Sequence, residues 1–218
     1  MSGRSLFLLA ALVSGCAFAR ARPSADKLQA MEKEAYQAVR QNDAEAFKKF
    51  LRRGFPVNYH RGEGDTPLHW TARLGRPEIA KLLLERKADV DARSDIDYTP
   101  LHWAAYYGYL EIVKMLLEHN ADPNRGGGYN EMEGGRPRKD TPLHNAVDRS
   151  HLEVVRLLMD YGADVNAKNT INSTPFFESV RKKKKGITEY MLTLSPDINV
   201  QGGYDNETPL MPAIFWGW

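Results

Sequence analysis

The chain has 218 residues, enough for one domain or two, and its 30 basic and 28 acidic residues leave a net charge of +2. Nothing in that balance points to nucleic acid or to an anionic membrane. The single cysteine, Cys16, excludes an internal disulfide framework and a cysteine-based zinc site, and no run approaches the ~20 apolar residues of a membrane span.

Residues 1–19 have the layout of a secretory signal peptide. Arg4 gives a positive start, Leu6 to Val13 is an apolar run too short to span, and small residues follow. Two cuts fit. Val13-Ser14-Gly15-Cys16 resembles the lipobox of bacterial lipoproteins, which would leave Cys16 first in the chain and acylated. Ala17-Phe18-Ala19 is an A-x-A site with cleavage before Arg20. The lipobox is preferred because the only cysteine sits there. Either cut implies export, to the periplasm or to the outer membrane of a bacterial source, and a cysteine-free body agrees with an oxidising space.

Residues 20–33 read as a tether and the start of a capping helix. Glu34 to Gln41 and Ala44 to Arg53 read as a helix pair, with Gly54 and Val57-Asn58 opening a hairpin. From Thr66 the chain repeats itself. Thr-Pro-Leu-His starts at Thr66, Thr99 and Thr141, with variants at Thr174 and Thr208; successive starts lie 33, 42, 33 and 34 residues apart. Each threonine offers an oxygen to free helix amides, and the proline sits where no amide proton is needed. Leu68 and Leu101 point inward, and Ala72, Ala104 and Ala105 allow close approach of the neighbouring repeat. Gly75 and Gly108 suit a left-handed end to the short helix. A second helix follows, with Ile79, Leu82 and Leu83, and then Ile112, Met115 and Leu116, at helical spacing. Gly162 and Asn120 can end such helices, whereas Lys87 suits the turn poorly, so that turn is strained or differently closed.

Through both helices and into the hairpin these segments resemble the ankyrin-repeat family, over roughly residues 36–218. The resemblance implies an all-α ankyrin-repeat solenoid, with a helix-turn-helix and a β-hairpin per repeat. The units are 34–65 (a degenerate, charge-rich end repeat), 66–98, 99–140 with an insertion, 141–173, 174–207 and a partial 208–218. The insertion, between Asn124 and Asp140, is glycine-rich and read as mobile, with Tyr129 and Met132 as binding groups or as a tolerated loop extension. The Thr174 repeat carries Phe176, Phe177 and the run Arg181 to Lys185, either a patch for an acidic partner or a solvated turn. At the C-terminal end, Ile214, Phe215, Trp216 and Trp218 either dock as an irregular cap or leave apolar surface open.

The residues offer no catalytic chemistry, and no cofactor or metal is expected. His69, His102 and His144 share one position in successive repeats. Packed helices stand about 8–10 Å apart while zinc needs nitrogens at ~2 Å, so the three cannot meet on one ion. The resemblance implies that they hydrogen-bond between repeats. Asp95 and Asp97 are too few for a calcium site. Neither a phosphate-binding loop nor a nucleophile motif is present. Asn172 and Asn206 fit a glycosylation sequon only because the repeat supplies the threonine.

Family contact positions lie just before Thr-Pro and just after the paired alanines. Carried over, they are Glu63, Asp65, Arg73 and Leu74; Asp95, Ile96, Tyr98, Tyr106 and Tyr107; Arg138, Asp140, Asp148 and Arg149; and Ile171, Ser173, Arg181 and Lys182. Tyr98, Tyr106 and Tyr107 are expected on one face as the anchor, with Arg73 and Arg149 on either side. Trp70 and Trp103 are expected in the core. The function expected is an exported module that binds an unidentified protein on the concave face. No nucleic acid is expected, and a membrane only through Cys16. The alternatives are an accessory region or subunit of an enzyme, or a secreted effector.

Overall fold

A computed structural model describes residues 24–60, 64–130, 136–215 and 217. Cys16 and the rest of the signal region, Glu63, Met132, Trp216 and Trp218 lie outside the described residues. The helices come in pairs. They are α1 (Ala25–Arg40) with α2 (Ala44–Arg52), α3 (Pro67–Leu74) with α4 (Pro77–Leu84), and α5 (Pro100–Tyr107) with α6 (Leu110–Glu118). Then follow α7 (Pro142–Asp148) with α8 (Leu152–Asp160), α9 (Pro175–Arg181) with α10 (Lys185–Leu192), and α11 (Leu210–Phe215). Odd-numbered helices pack in sequence as an inner row and α2 to α10 as an outer row. This is an all-α ankyrin solenoid. The inner-row side chains Leu68, Leu101, Leu143 and Phe176 occupy one register position and are all buried, each contributing about 1.5–3 kcal/mol.

The periodicity extends to backbone conformation. Each repeat turns through the left-handed region three times. Asn42, Gly75, Gly108, Ser150 and Lys183 do so after the inner helix, and Gly54, Lys87, Asn120, Gly162 and Ser195 after the outer one. Gly64, Asp97, Lys139, Asn172 and Asn206 do so at the hairpin tip. Lys87 therefore closes its turn as its equivalents do, at φ 59°, with its N–H on Leu84 O (2.9 Å) and the Ala88 N–H on Leu83 O (3.0 Å). Of the two expectations for Lys87, the strained one holds; left-handed backbone costs a side-chain-bearing residue about 1–2 kcal/mol. At Gly108 (φ 76°) glycine is needed twice over, because a Cβ there would stand 2.5 Å from the His151 ring.

Two regions depart from the sequence reading. Helix α1 begins at Ala25, so most of the segment 20–33, read as a tether and the start of a capping helix, is helix that runs on through Glu34 to Arg40, and it buries Met31, Ala35, Ala38 and Val39. The insertion is an antiparallel ribbon, β1 (Gly127–Asn130) with β2 (Arg136–Asp140), not a mobile loop over those residues. Its glycines allow contact with the preceding hairpin: a Cβ on Gly128 would lie 2.4 Å from the Tyr98 ring. The Gly128 N–H donates to Ile96 O (3.0 Å). At the far end, Leu210, Ile214 and Phe215 are exposed. Ile214 and Phe215 thus leave apolar surface open, while Trp216 and Trp218, the other two residues of that expectation, lie outside the described residues.

Two ladders of side chains join the repeats. At the hairpin bases, Asn58, Asp91, Asn124 and Asn166 each accept the N–H of Asp89, Asp122, Asp164 and Asp197 respectively, at 2.7–3.1 Å. Beneath the inner helices run the histidines. Thr66 N–H donates to His69 Nδ1 (3.1 Å), so Nε2 carries the proton and donates to Tyr98 O (3.0 Å) in the next hairpin. His102 does the same between Thr99 and Asp140 O, and His144 between Thr141 and Ser173 O, each with 3.0 Å to the carbonyl. The three rings are thus occupied at both nitrogens, within the stack.

Burial pushes His69 and His102 down to about 4 and also lowers His144. An unfolded imidazole takes its proton near 6.5, so between those values the unfolded chain binds more protons and is favoured. The stabilisation is complete above the unfolded value and is lost as pH falls toward about 4, on the order of 3 kcal/mol per histidine at most. Urea midpoints should accordingly be flat above neutrality and fall steadily on acidification through this window. NMR should show the His69 and His102 rings still neutral at mildly acid pH; rings that titrate like free histidine would refute the assignment.

Candidate binding face

The carbonyls that the histidines hold belong to Tyr98, Asp140 and Ser173, the residues just before each Thr-Pro. The bridges therefore fix the backbone from which the face is built. Across that face one register position reads Trp70, Trp103, Asn145 and Glu178 along the stack, passing from aromatic to ionic.

In the aromatic part, the expected cluster forms around a residue expected in the core. Trp70 is 1% exposed and packs edge-on against Tyr36. Trp103 is only partly buried and is the hub of the cluster: Tyr98 lies 5.1 Å from it, Tyr107 6.1 Å and Tyr106 6.2 Å between ring centroids. The large Trp103 follows Trp70 in register, whereas only Asn145 follows Trp103; that difference was the available signal. Tyr106 and Tyr107 meet edge to face at 5.1 Å, and Tyr107 is 42% exposed. The two arginines do stand on either side. Arg149 lies 4.0 Å over the Tyr106 ring and Arg73 5.7 Å over Trp103. Such contacts contribute about 0.5–1 kcal/mol at exposed sites and hold the guanidinium groups flat. Arg73 also pairs with Asp65 at 3.5 Å, and Leu74 is half-buried beside it. Asp95 and Ile96 are exposed on the next tip.

Tyr98 is the exception in the tyrosine trio. Its ring stacks on His102 at 4.9 Å, and its hydroxyl donates to Asn145 Oδ1 at 3.4 Å. Burial, helped by the charge of Asp140, pushes its hydroxyl up to about 12. It supports the face more than it presents itself.

The other half of the face is an ion-pair network around Glu178, which is 3% exposed. Arg181 reaches its Oε2 at 2.6 Å and Lys182 at 3.4 Å, Arg138 lies 3.9 Å from Oε1, and Ser173 donates to Oε1 at 2.8 Å. Burial alone would raise the Glu178 carboxyl; the charges of Lys182 and Arg181, with hydrogen bonds from Arg181 and Ser173, outweigh it and hold the group below the usual glutamate range. Asp140 takes Asn169 Nδ2 (2.7 Å) and lies 3.0 Å from Arg138 Nε, though not in line with its N–H. Asp148 pairs with Lys182 directly and with Arg149 at 3.7 Å. Arg181 and Lys182 are thus ion-paired with Glu178 and Asp148 although Arg181 remains exposed, so these two of the five residues in the basic run are not free cations. Ser173 is fully buried and does not present itself to a partner, while Ile171 is half-buried. Glu178 itself was missed; its place in the tryptophan register was the only clue.

Where the two halves meet, the small Asn145 leaves a cavity of about 100 Å³. Two buried donors nearby, Trp103 Nε1 and Asn145 Nδ2, have no hydrogen-bond partner among the described residues. Each such unmet group costs about 1–3 kcal/mol.

Comparison with known proteins agrees with this architecture. A model of ankyrin repeats in three copies matches residues 35–126, and a single ankyrin repeat matches 138–170. Together they span more than half of the chain. Acyl-CoA-binding domain-containing protein 2 of Arabidopsis thaliana is 41% identical over 51 residues, 23% of this chain and 14% of that protein. Palmitoyltransferase AKR1 of Gibberella zeae is 33% identical over 66 residues, 30% of this chain and 9% of that protein. The chain therefore spans only a small part of these relatives' length. Helix pairs, hairpins and histidine bridges in one register, with repeat matches on both sides of the ribbon, make this chain a member of the ankyrin-repeat family, whose repeats are protein–protein interaction modules.

Proposed function

We propose that the chain, as an exported and non-catalytic protein held to a membrane through a lipid on Cys16, binds a segment of a partner protein across its concave inner-helix face. The observation that carries this reading is the cluster of Trp103, Tyr106 and Tyr107 with Arg73 and Arg149 on its flanks. Aromatic rings and arginine give much contact area for little lost side-chain freedom, and they dominate interface energetics. Leu74, Asp95 and Ile96 extend the surface toward the N-terminal end. Asp65, Asp140, Asp148, Arg181 and Lys182 contribute mainly by holding their neighbours in place. The accessory-region alternative has one observation in its favour, the small fraction of the two relatives that this chain matches.

Affinity capture from the native envelope tests the site. The bait is the full chain, against Tyr106→Ala with Tyr107→Ala and against an outer-helix control, Glu111→Ala with Lys114→Ala. A partner held by wild type and control, and at least about tenfold weaker on the double tyrosine variant, supports the face. Equal retention on all three would refute it. The anchor has a separate test, labelling cells with an alkynyl fatty acid. Label that disappears in Cys16→Ser supports the anchor; a wild-type chain that takes up none, or label that persists in the variant, contradicts it.

A further inference from the structure

We propose that the cavity beside the aromatic cluster is a specificity pocket for a side-chain carboxamide, an asparagine or glutamine of the bound segment. The inference rests on the reading above that a segment lies on this face. The cavity has a definite origin. Asn145 occupies the position that Trp70 and Trp103 fill in the preceding repeats, and exchanging an indole for a small amide empties about 100 Å³ between Tyr98, Tyr106 and Asp148. At about 30 Å³ per water that is room for roughly three waters, or for one short polar side chain.

Its chemistry narrows the occupant. Asn145 is 4% exposed; its Oδ1 accepts from Tyr98, while its Nδ2 has no acceptor. Asn145 lines the cavity, so an occupant of it is placed to supply the missing acceptor. A carboxylate is disfavoured there. Asp140, Asp148 and Glu178 outnumber the cations Arg138 and Lys182 on the walls, and both cations are already paired. An ammonium group would suit the carboxylates but leave Asn145 Nδ2 unmet. A carboxamide answers both demands. Its oxygen accepts from Asn145, and its NH₂ donates to Asp148, the most exposed carboxylate of the three.

Selection from a random peptide library on the full chain tests this. Selected peptides should share one fixed asparagine or glutamine. In synthetic copies, replacing that residue with alanine, aspartate or lysine should weaken binding by about tenfold or more. On Asn145→Leu, which removes the donor at similar size, the alanine replacement should cost about twofold or less, aspartate should stay disfavoured by the wall carboxylates, and dependence on Tyr107 should persist. Should that variant fail to fold, the peptide series on the wild-type chain decides alone. Peptides that depend on Tyr107 but show no fixed amide, or that fix an acid or a lysine instead, would overturn the pocket and leave the binding face standing. Failure to select any peptide would overturn both.

Discussion

Each of the three central repeats is tied to the next by a buried imidazole that accepts a hydrogen bond from its own threonine amide and donates one to a carbonyl of the following hairpin. A solenoid has no long-range contacts to fix its pitch; each unit touches only its neighbours. A directional bond between a helix start and the next hairpin therefore sets how far the repeats turn against one another. The bond works only while the ring is neutral and oriented, which its burial ensures. At Phe177 the same position carries a ring that can pack but cannot bridge, and the following hairpin has its own backbone pair, Gly202 with Glu207, without a histidine bridge, where earlier hairpins have both a backbone pair and a histidine bridge.

Because the bridged carbonyls lie just before each Thr-Pro, the chain that stacks the repeats also aims the side chains of the face. The first helices supply aromatic rings steadied by arginines, and the later ones supply a buried carboxylate surrounded by cations. A paired buried charge is costly to unpair and adds little by its presence, so the ionic half serves as a rigid floor. The aromatic half keeps exposed apolar area, and the boundary keeps unmet hydrogen-bond capacity. Both features are what a docking surface requires.

Most of the fold was legible because its determinants are local and recur. Threonine caps, first-turn prolines and the apolar spacing gave the helix pairs, and the shared histidine position gave the bridges once the resemblance was recognised. The failures occurred where packing across repeats decides. Trp70 and Trp103 have the same place in their repeats, yet only the first is covered, with Tyr36 edge-on against its ring, while the small Asn145 follows Trp103 in register. Arg181 and Lys182 look like free cations until Glu178 and Asp148, from this repeat and the one before, meet them. The inserted glycines look like a source of mobility, but Gly127 and Gly128 press the ribbon onto the preceding hairpin. Composition alone does not reveal such close approach.

The account stands on the claim that the histidine bridges make neighbouring repeats open as one. Native-state hydrogen exchange on the His102→Phe variant tests it directly, since phenylalanine is what the stack itself carries at position 177. The account predicts that amides in α3 to α6 and those in α7 to α10 cease to share one opening free energy, with the break at Asp140. If both sets continue to open together, as a single unit of unchanged cooperativity, the bridges are incidental to the stack and the account is wrong.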